Sequence, residues 1–285
     1  MTSQTPKGES WYTTLSVDSL HESTLWRRHS DAVNTALLQR WIRASSAESV
    51  LKTDLFDEAV GDGLYPYLTT IGQVLVGIDL SASVGNRARQ HYAGLRALVG
   101  DVRRLPFPGG SFDVVVSNST LDHFATGDEI AVAVMEIARV LRPKGRLVIT
   151  MDNPANPLVR FRNALPGAWL RACGIVPYYV GKTCALDRLL ELLATGGLQV
   201  TEQTAILHCP RPFAVAAARL MQKRNAKWQK RFLRWLRAFE RLERWRTRYR
   251  TGSFIAVHAT RPVNCLLEIL CCQYAINKRK IMANI

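Results

Sequence analysis

Two stretches decide the fold: GDVRRLPFPGGSFDVVVSNSTLDHF (100–124) and MEIARVLRPKGRLVIT (135–150). Each carries a short apolar run, DVVVS at 113–117 and RLVIT at 146–150, and helical spacing over about 128–141 joins them. A strand that is apolar at consecutive positions suits a parallel sheet buried on both faces. Working outward, further strand candidates lie at 97–99 (ALV), 73–78 (QVLVGI) and 49–53 (SVLKT), with a helix candidate at about 82–92. Strand–helix alternation over some 100 residues predicts an α/β domain, doubly wound, with helices on both faces of a mostly parallel sheet.

The flanks differ in texture. Residues 1–18 read as a loose arm, and 19–44 repeat apolar residues at helical spacing, among them Leu25, Trp26, Leu37, Leu38 and Trp41. After Thr150 come a Pro-rich loop (DNPANPLVRF), an aromatic segment (PYYVGKT, 177–183), a helix at 185–195 and strands at 198–207 and 253–259. The net charge is +15, and it is lopsided: residues 1–150 sum to −1 and residues 151–285 to +16. Residues 211–250 alone hold 14 basic and 2 acidic side chains. In that segment Trp228, Phe232, Trp235, Leu236, Phe239, Leu242, Trp245 and Tyr249 recur at three- and four-residue steps, with Lys and Arg between them. The pattern predicts a helix with an aromatic-aliphatic face and a cationic face. Such a helix packs on the sheet domain as a lid, or lies on an anionic membrane surface; nucleic acid suits it less, because single-strand binders present aromatics on an open platform.

The six cysteines form no CxxC pair and no Cys/His spacing typical of zinc, so no metal is expected and the thiols read as reduced. The start is polar and no run of 18 apolar residues occurs, which points to a cytoplasmic protein, peripheral at the membrane if the basic segment binds there.

Ligands of an open parallel sheet bind beyond the carboxyl ends of the strands. The second strand ends at Asp79, suited to two ribose hydroxyls, with Leu80 beside it to pack on a purine. The third ends at Asp101-Val102, and the fourth at Ser117-Asn118-Ser119 before Asp122 and His123. Singly, each has a plainer role as a helix-start or turn residue.

Together, VGIDLS, LPFP…SFDVV and E-x-x-R-V-L-x-P-x-G resemble the core of a class I S-adenosylmethionine-dependent methyltransferase, most closely the type 11 group that includes the ubiquinone/menaquinone C-methyltransferases. The resemblance covers about residues 47–150. It implies a Rossmann-like seven-stranded sheet with a reversed final hairpin. It divides the chain into an N-terminal arm and helix (1–46), the methyltransferase domain (47–207 and 253–262), a basic helical insertion (208–252) before the last strand, and a tail (263–285). It implies S-adenosylmethionine as cofactor, with Asp79 on the ribose, Leu80 on adenine, Asp101 on the adenine amino group, Val102 offering backbone, and Asn118 and Ser119 near the methionine end. His123 matches a common histidine of that loop, either catalytic or fixing the loop. The chain departs from the family at the Gly-rich first turn, reading VLKTDLFDEAVGDGL (50–64). Either Lys52 replaces the strand-end acid, or Asp54 is that acid and Gly61 and Gly63 approach the ligand after a lengthened turn. The function implied is methyl transfer to a small-molecule or lipid-linked acceptor, with Asp122, Tyr178 and Tyr179 as further acceptor-side candidates. An RNA methyltransferase and a non-catalytic binding module on the same fold are the alternatives.

Overall fold

A computed structural model describes residues 24–42, 48–166 and 181–263. The tyrosines at 178 and 179, the N-terminal arm and the C-terminal tail lie outside the described residues.

Seven strands form one sheet: β1 (Glu48–Lys52), β2 (Gly72–Asp79), β3 (Arg96–Val99), β4 (Phe112–Asn118), β5 (Leu141–Asp152), β6 (Gln199–Ile206) and β7 (Phe254–Thr260). Their order is β3-β2-β1-β4-β5-β7-β6. Strands β1 to β5 pair in parallel, and β7 runs antiparallel to both β5 and β6. This is the expected seven-stranded sheet with a reversed final hairpin. The strand order reverses between β1 and β4, so a crevice is expected above that boundary.

Helix α1 (Thr24–Trp41) precedes β1, and the short helices α2 (Phe56–Val60) and α3 (Tyr65–Ile71) link β1 to β2. They are followed by α4 (Ala82–His91), α5 (Gly127–Val140), α6 (Pro157–Ala164) and α7 (Leu186–Thr195). Side chains alternate across each strand. Val114 and Val116 therefore join Leu37, Leu38, Leu68 and Val84 on one face of the sheet, while Val115 joins Ile130, Val134, Ile137 and Leu189 on the other. The start of α5 was locally encoded. The Thr126 hydroxyl accepts from the Glu129 amide while the Glu129 carboxylate accepts from the Thr126 amide, satisfying two of the amides a helix start leaves bare.

Between β6 and β7 the chain forms α8 (Arg211–Met221), α9 (Ala226–Phe239), a 3₁₀ turn (Glu240–Arg244) and α10 (Arg248–Thr251). The predicted single amphipathic helix is thus several pieces, and its aromatic stripe is divided. Leu233 and Leu236 of α9 are buried with α1 and with Ala214 and Ala218 of α8. Trp228, Trp235 and Trp245 are exposed at 51%, 53% and 64%. The ends of the insertion meet, the Ser253 amide donating to the Leu207 carbonyl at 3.1 Å.

Helix α1 is fastened to this insertion. Arg40 forms a two-pronged ion pair with Glu243 at 2.7 and 2.9 Å. Buried His29 places Nε2 3.6 Å from Glu240 Oε1 and 3.7 Å from Cys209 Sγ. Spacing in the sequence showed no Cys/His grouping, yet the fold brings these three donors within 4.8 Å of one another. Burial, then the nearby Glu240, raises the Cys209 thiol to about 12, so the sulfur stays protonated. The Glu240 oxygens also accept from the Leu207 and His208 amides.

Candidate active site

Strand β2 delivers Asp79 to its carboxyl end, where the side chain is buried. Its two oxygens accept from the backbone amides of Ser81 at 2.8 Å and Leu55 at 3.0 Å. The Leu55 contact fixes the loop after β1 against the tip of β2. The Leu55 side chain is fully buried over Gly77, where an added Cβ would lie 2.3 Å from it. Sequence reasoning did not single out Leu55, because its role depends on an amide reaching across strands.

The glycine-rich turn is replaced by a knot of charges. Lys52 is 1% exposed; its Nζ lies 2.8 Å from Glu58 and donates to the Asp54 carbonyl at 2.5 Å. Burial opposes the charge on Lys52, but Glu58, Asp54 and Asp57 outweigh it and hold the ammonium above its ordinary range. The Asp54 carboxylate accepts from the Phe56 amide at 3.0 Å. Asp57 pairs with Arg27 of α1 at 2.6 Å and accepts from the Asn118 side-chain amide at 3.3 Å. The Asn118 oxygen in turn accepts from the Thr150 hydroxyl. The Thr53 hydroxyl meets that of Thr120 at 2.9 Å, joining the tips of β1 and β4.

Five carboxyl groups, Asp31, Asp54, Asp57, Glu58 and Asp79, act on one another here, with Arg27 and Lys52 as the cations among them. Burial, then repulsion from Asp57, raises Asp31 to about 8. Burial likewise raises Asp54 to about 8, with Asp79, Asp57 and Glu58 pushing further and Lys52 opposing. Burial raises Asp79 too, against the amides of Ser81 and Leu55. Such a cluster is short of positive charge, and a cationic ligand relieves it. The sulfonium and ammonium of S-adenosylmethionine fit that donor set.

Both proposed loop glycines have protein neighbours. Gly61 ends α2 in an extended conformation, and a Cβ there would meet Arg27 at 2.8 Å. Gly63 has φ +57, and a Cβ would meet the Glu58 carboxylate at 2.6 Å. Glycine is needed there for the left-handed turn, which lets the Leu64 amide donate to Glu58. The short helix α2 stands between these glycines and the β1 tip, so the lengthened turn brings acids, not glycine backbone, to the strand end.

At the β3 tip, Asp101 accepts from the Arg103 amide at 2.8 Å and from its guanidinium at 2.8 Å. Arg103 also pairs with Glu129 and lies over the Phe124 ring. Val102 is buried and Leu80 half-buried. The loop after β4 turns at Ser119, φ 51. The Ser119 hydroxyl and the Asp152 amide both donate to Asp122 Oδ2, at 2.8 and 3.0 Å. Asp122 Oδ1 is buried and without a hydrogen-bond partner. Burial, then the Asp152 carboxylate, raises Asp122 to about 8. Asp152 is paired with Arg162. His123 is half-buried at the end of the 3₁₀ turn Leu121–His123. The structure therefore gathers Asp54, Asp79 and Asn118, together with Asp57, around the β1 loop; Asp122 faces Ser119 and Asp152 instead.

Comparison with known proteins agrees with this architecture. Residues 56–149 match the family model "Methyltransferase domain". A fatty-acid O-methyltransferase of Mycolicibacterium smegmatis is 29% identical over 50% of the chain and 53% of its own length. A demethylmenaquinone methyltransferase of Beutenbergia cavernae is 29% identical over 48% of the chain and 50% of its own length. A mouse tRNA (carboxymethyluridine(34)-5-O)-methyltransferase is 35% identical over 26% of the chain and 11% of its own length. The chain thus spans about half or less of the length of these relatives. In fold, it resembles the methyltransferase solved with the Trm112 activator of Haloferax volcanii, with TM-score 0.58, 19% identity, and 92% of this chain and 100% of that one covered.

Proposed function

Because the chain carries a class I, type 11, S-adenosylmethionine-dependent methyltransferase domain, we propose that it transfers a methyl group to a small-molecule or lipid-linked acceptor. The single observation that carries the binding half of this reading is the cluster of acids at the tips of β1 and β2, where Asp79 accepts from the Leu55 and Ser81 amides and Asp54 and Glu58 surround Lys52. Two of its carboxyl groups, Asp31 and Asp54, are raised to about 8 by burial among other acids.

S-adenosylmethionine supplies an activated methyl group when bound. Asp79, positioned by two amides, would hold the ribose; Leu80 and Val102 would flank the adenine, with Asp101 at its edge; Asp54 and Asn118 would face the methionine end. In-line displacement chiefly needs orientation and exclusion of water, so the fixed strand tips do most of what the reaction requires. A proton must leave only if the acceptor is a hydroxyl or amine. The apolar acceptors named for the fatty-acid and demethylmenaquinone relatives support a lipid-like acceptor here. The short match to the tRNA enzyme supports RNA as the second reading.

Titration calorimetry with S-adenosylmethionine tests the proposal. Wild-type protein is expected to bind at micromolar concentration. Asp79→Ala leaves the Leu55 and Ser81 amides without their acceptor and is expected to weaken binding by about a hundredfold or more. No binding by folded wild-type protein would leave only a binding module. Transfer of labelled methyl into RNA, with none into lipid extracts, would favour the second reading.

A further inference from the structure

The insertion has two faces with different tasks, and only one is used by the fold. On α9, Leu233 and Leu236 point into the core shared with α1. Trp228 and Trp235 fall one-third to one-half of a turn away and are about half exposed. Phe232 stacks on Trp235 at 5.9 Å, Phe239 meets it edge-on at 4.9 Å, and the Arg231 guanidinium lies 5.3 Å from the Trp228 ring centre. The next arc of the helix holds Lys227, Lys230, Arg231, Arg234 and Arg237, all exposed. Beyond the helix, Trp245 is exposed at 64% between Arg244 and Arg246.

The positive charge also converges. A recess of about 460 Å³ is lined by Arg40, Arg237, Arg241, Arg244 and Arg248. Its two carboxylates are already engaged within the fold. Glu240 accepts from the Leu207 and His208 amides, and Glu243 from Arg40 and Thr204. The recess therefore presents an excess of guanidinium to any anion that reaches it.

We propose that this face of the insertion docks on an anionic phospholipid bilayer. The arginines and lysines would meet lipid phosphates, and the exposed tryptophans would sit at the headgroup level, where an amphipathic ring is most stable. Helix α9 would lie in the plane of the surface. Among the described residues no helix is long and apolar enough to cross a membrane, so contact would be peripheral. The inference deepens the lipid-linked reading of the acceptor, and it places the methyl-transfer domain beside an apolar phase from which such an acceptor could be drawn.

The full chain, without S-adenosylmethionine, should be sedimented with vesicles of phosphatidylglycerol and phosphatidylcholine, and with phosphatidylcholine alone. Binding is expected only to the anionic vesicles, with a blue shift of tryptophan emission and loss at high salt. Each cation near an anionic surface raises partitioning by roughly fivefold, so Lys227→Gln/Arg231→Gln/Arg234→Gln is expected to bind about a hundredfold more weakly. Trp228→Ala/Trp235→Ala keeps the charge and should lose the emission shift, together with roughly tenfold in binding. Both variants change exposed positions, and circular dichroism checks that they remain folded. Equal vesicle binding before and after the charge changes overturns the proposal. So does indifference to vesicles combined with charge-dependent binding of a single-stranded RNA 20-mer. Because the assay contains no cofactor, Asp79→Ala should sediment like wild type, so failure of the membrane face and failure of the methyltransferase reading are separable.

Discussion

At the strand tips the charged side chains are buried or half-buried, mostly acidic and bound to one another; on the insertion they are mostly exposed and mostly basic. The same Coulomb interaction has opposite consequences in the two places. A buried carboxylate cannot rely on water, so it must find a partner, a proton or a ligand; Asp79 has the Leu55 and Ser81 amides, and Asp54 the Phe56 amide and Lys52. An exposed arginine is already solvated, contributes little to stability, and acts on distant anions. On the two readings proposed above, one region would take a cation by enclosure and the other would gather anions by field.

The sharpest way to break this contrast is Lys52→Met. It would leave Glu58 and Asp54 buried without their ammonium, at an expected cost of about 3–5 kcal/mol in urea unfolding. The double change Lys52→Met/Glu58→Met should recover much of the loss. A single variant as stable as wild type would mean that the acids at the tip do not depend on the lysine. A somewhat smaller effect separates the two faces of α9. Leu236→Ala empties a fully buried site and should cost about 2–4 kcal/mol. Trp235→Ala, half exposed, should cost less than about 1 kcal/mol. Similar losses would erase the distinction between the packed and the outward face.

A further test is in protons. Asp31 and Asp54 rise from 3.8 to about 8 in the folded chain. An acid raised by folding adds stability that is complete below its unfolded pKa and is lost as pH climbs through the folded one. The ligand-free protein should therefore lose melting temperature between pH 4 and 8, and Asp54→Asn should flatten that slope. Binding a cation favours the charged carboxylate and should release up to about one proton near pH 7. Calorimetry in phosphate and in Tris would then give different apparent heats, and identical heats would argue against a cation beside these acids.

The sheet was legible because its strands write themselves in consecutive apolar residues. VVV at 114–116 and VLVGI at 74–78 became β4 and β2, and the helical spacing over about 128–141 became α5. The acids at the strand ends were legible for the same reason: a strand's last residue is fixed once the strand is. The first loop was not. KTDLFDE offered two frames, and the choice rested on contacts distant in sequence, the Leu55 amide on Asp79 and Arg27 on Asp57. Helix α2 was missed because five residues are too few to show a period. The insertion was half legible. Its periodicity announced an amphipathic helix, but the break at 222–225 and the division between Leu236 and Trp235 depend on where α1 lies.

The amide of Ser253 touching the carbonyl of Leu207 has one more consequence. A segment whose entrance and exit coincide can be lengthened, shortened or exchanged without rerouting the polypeptide on either side. The hairpin formed by β6 and β7 thus tolerates changes of length on the insertion's outward side, whereas its inward side, locked to α1 through Leu233, Leu236 and Glu243, is held to one shape.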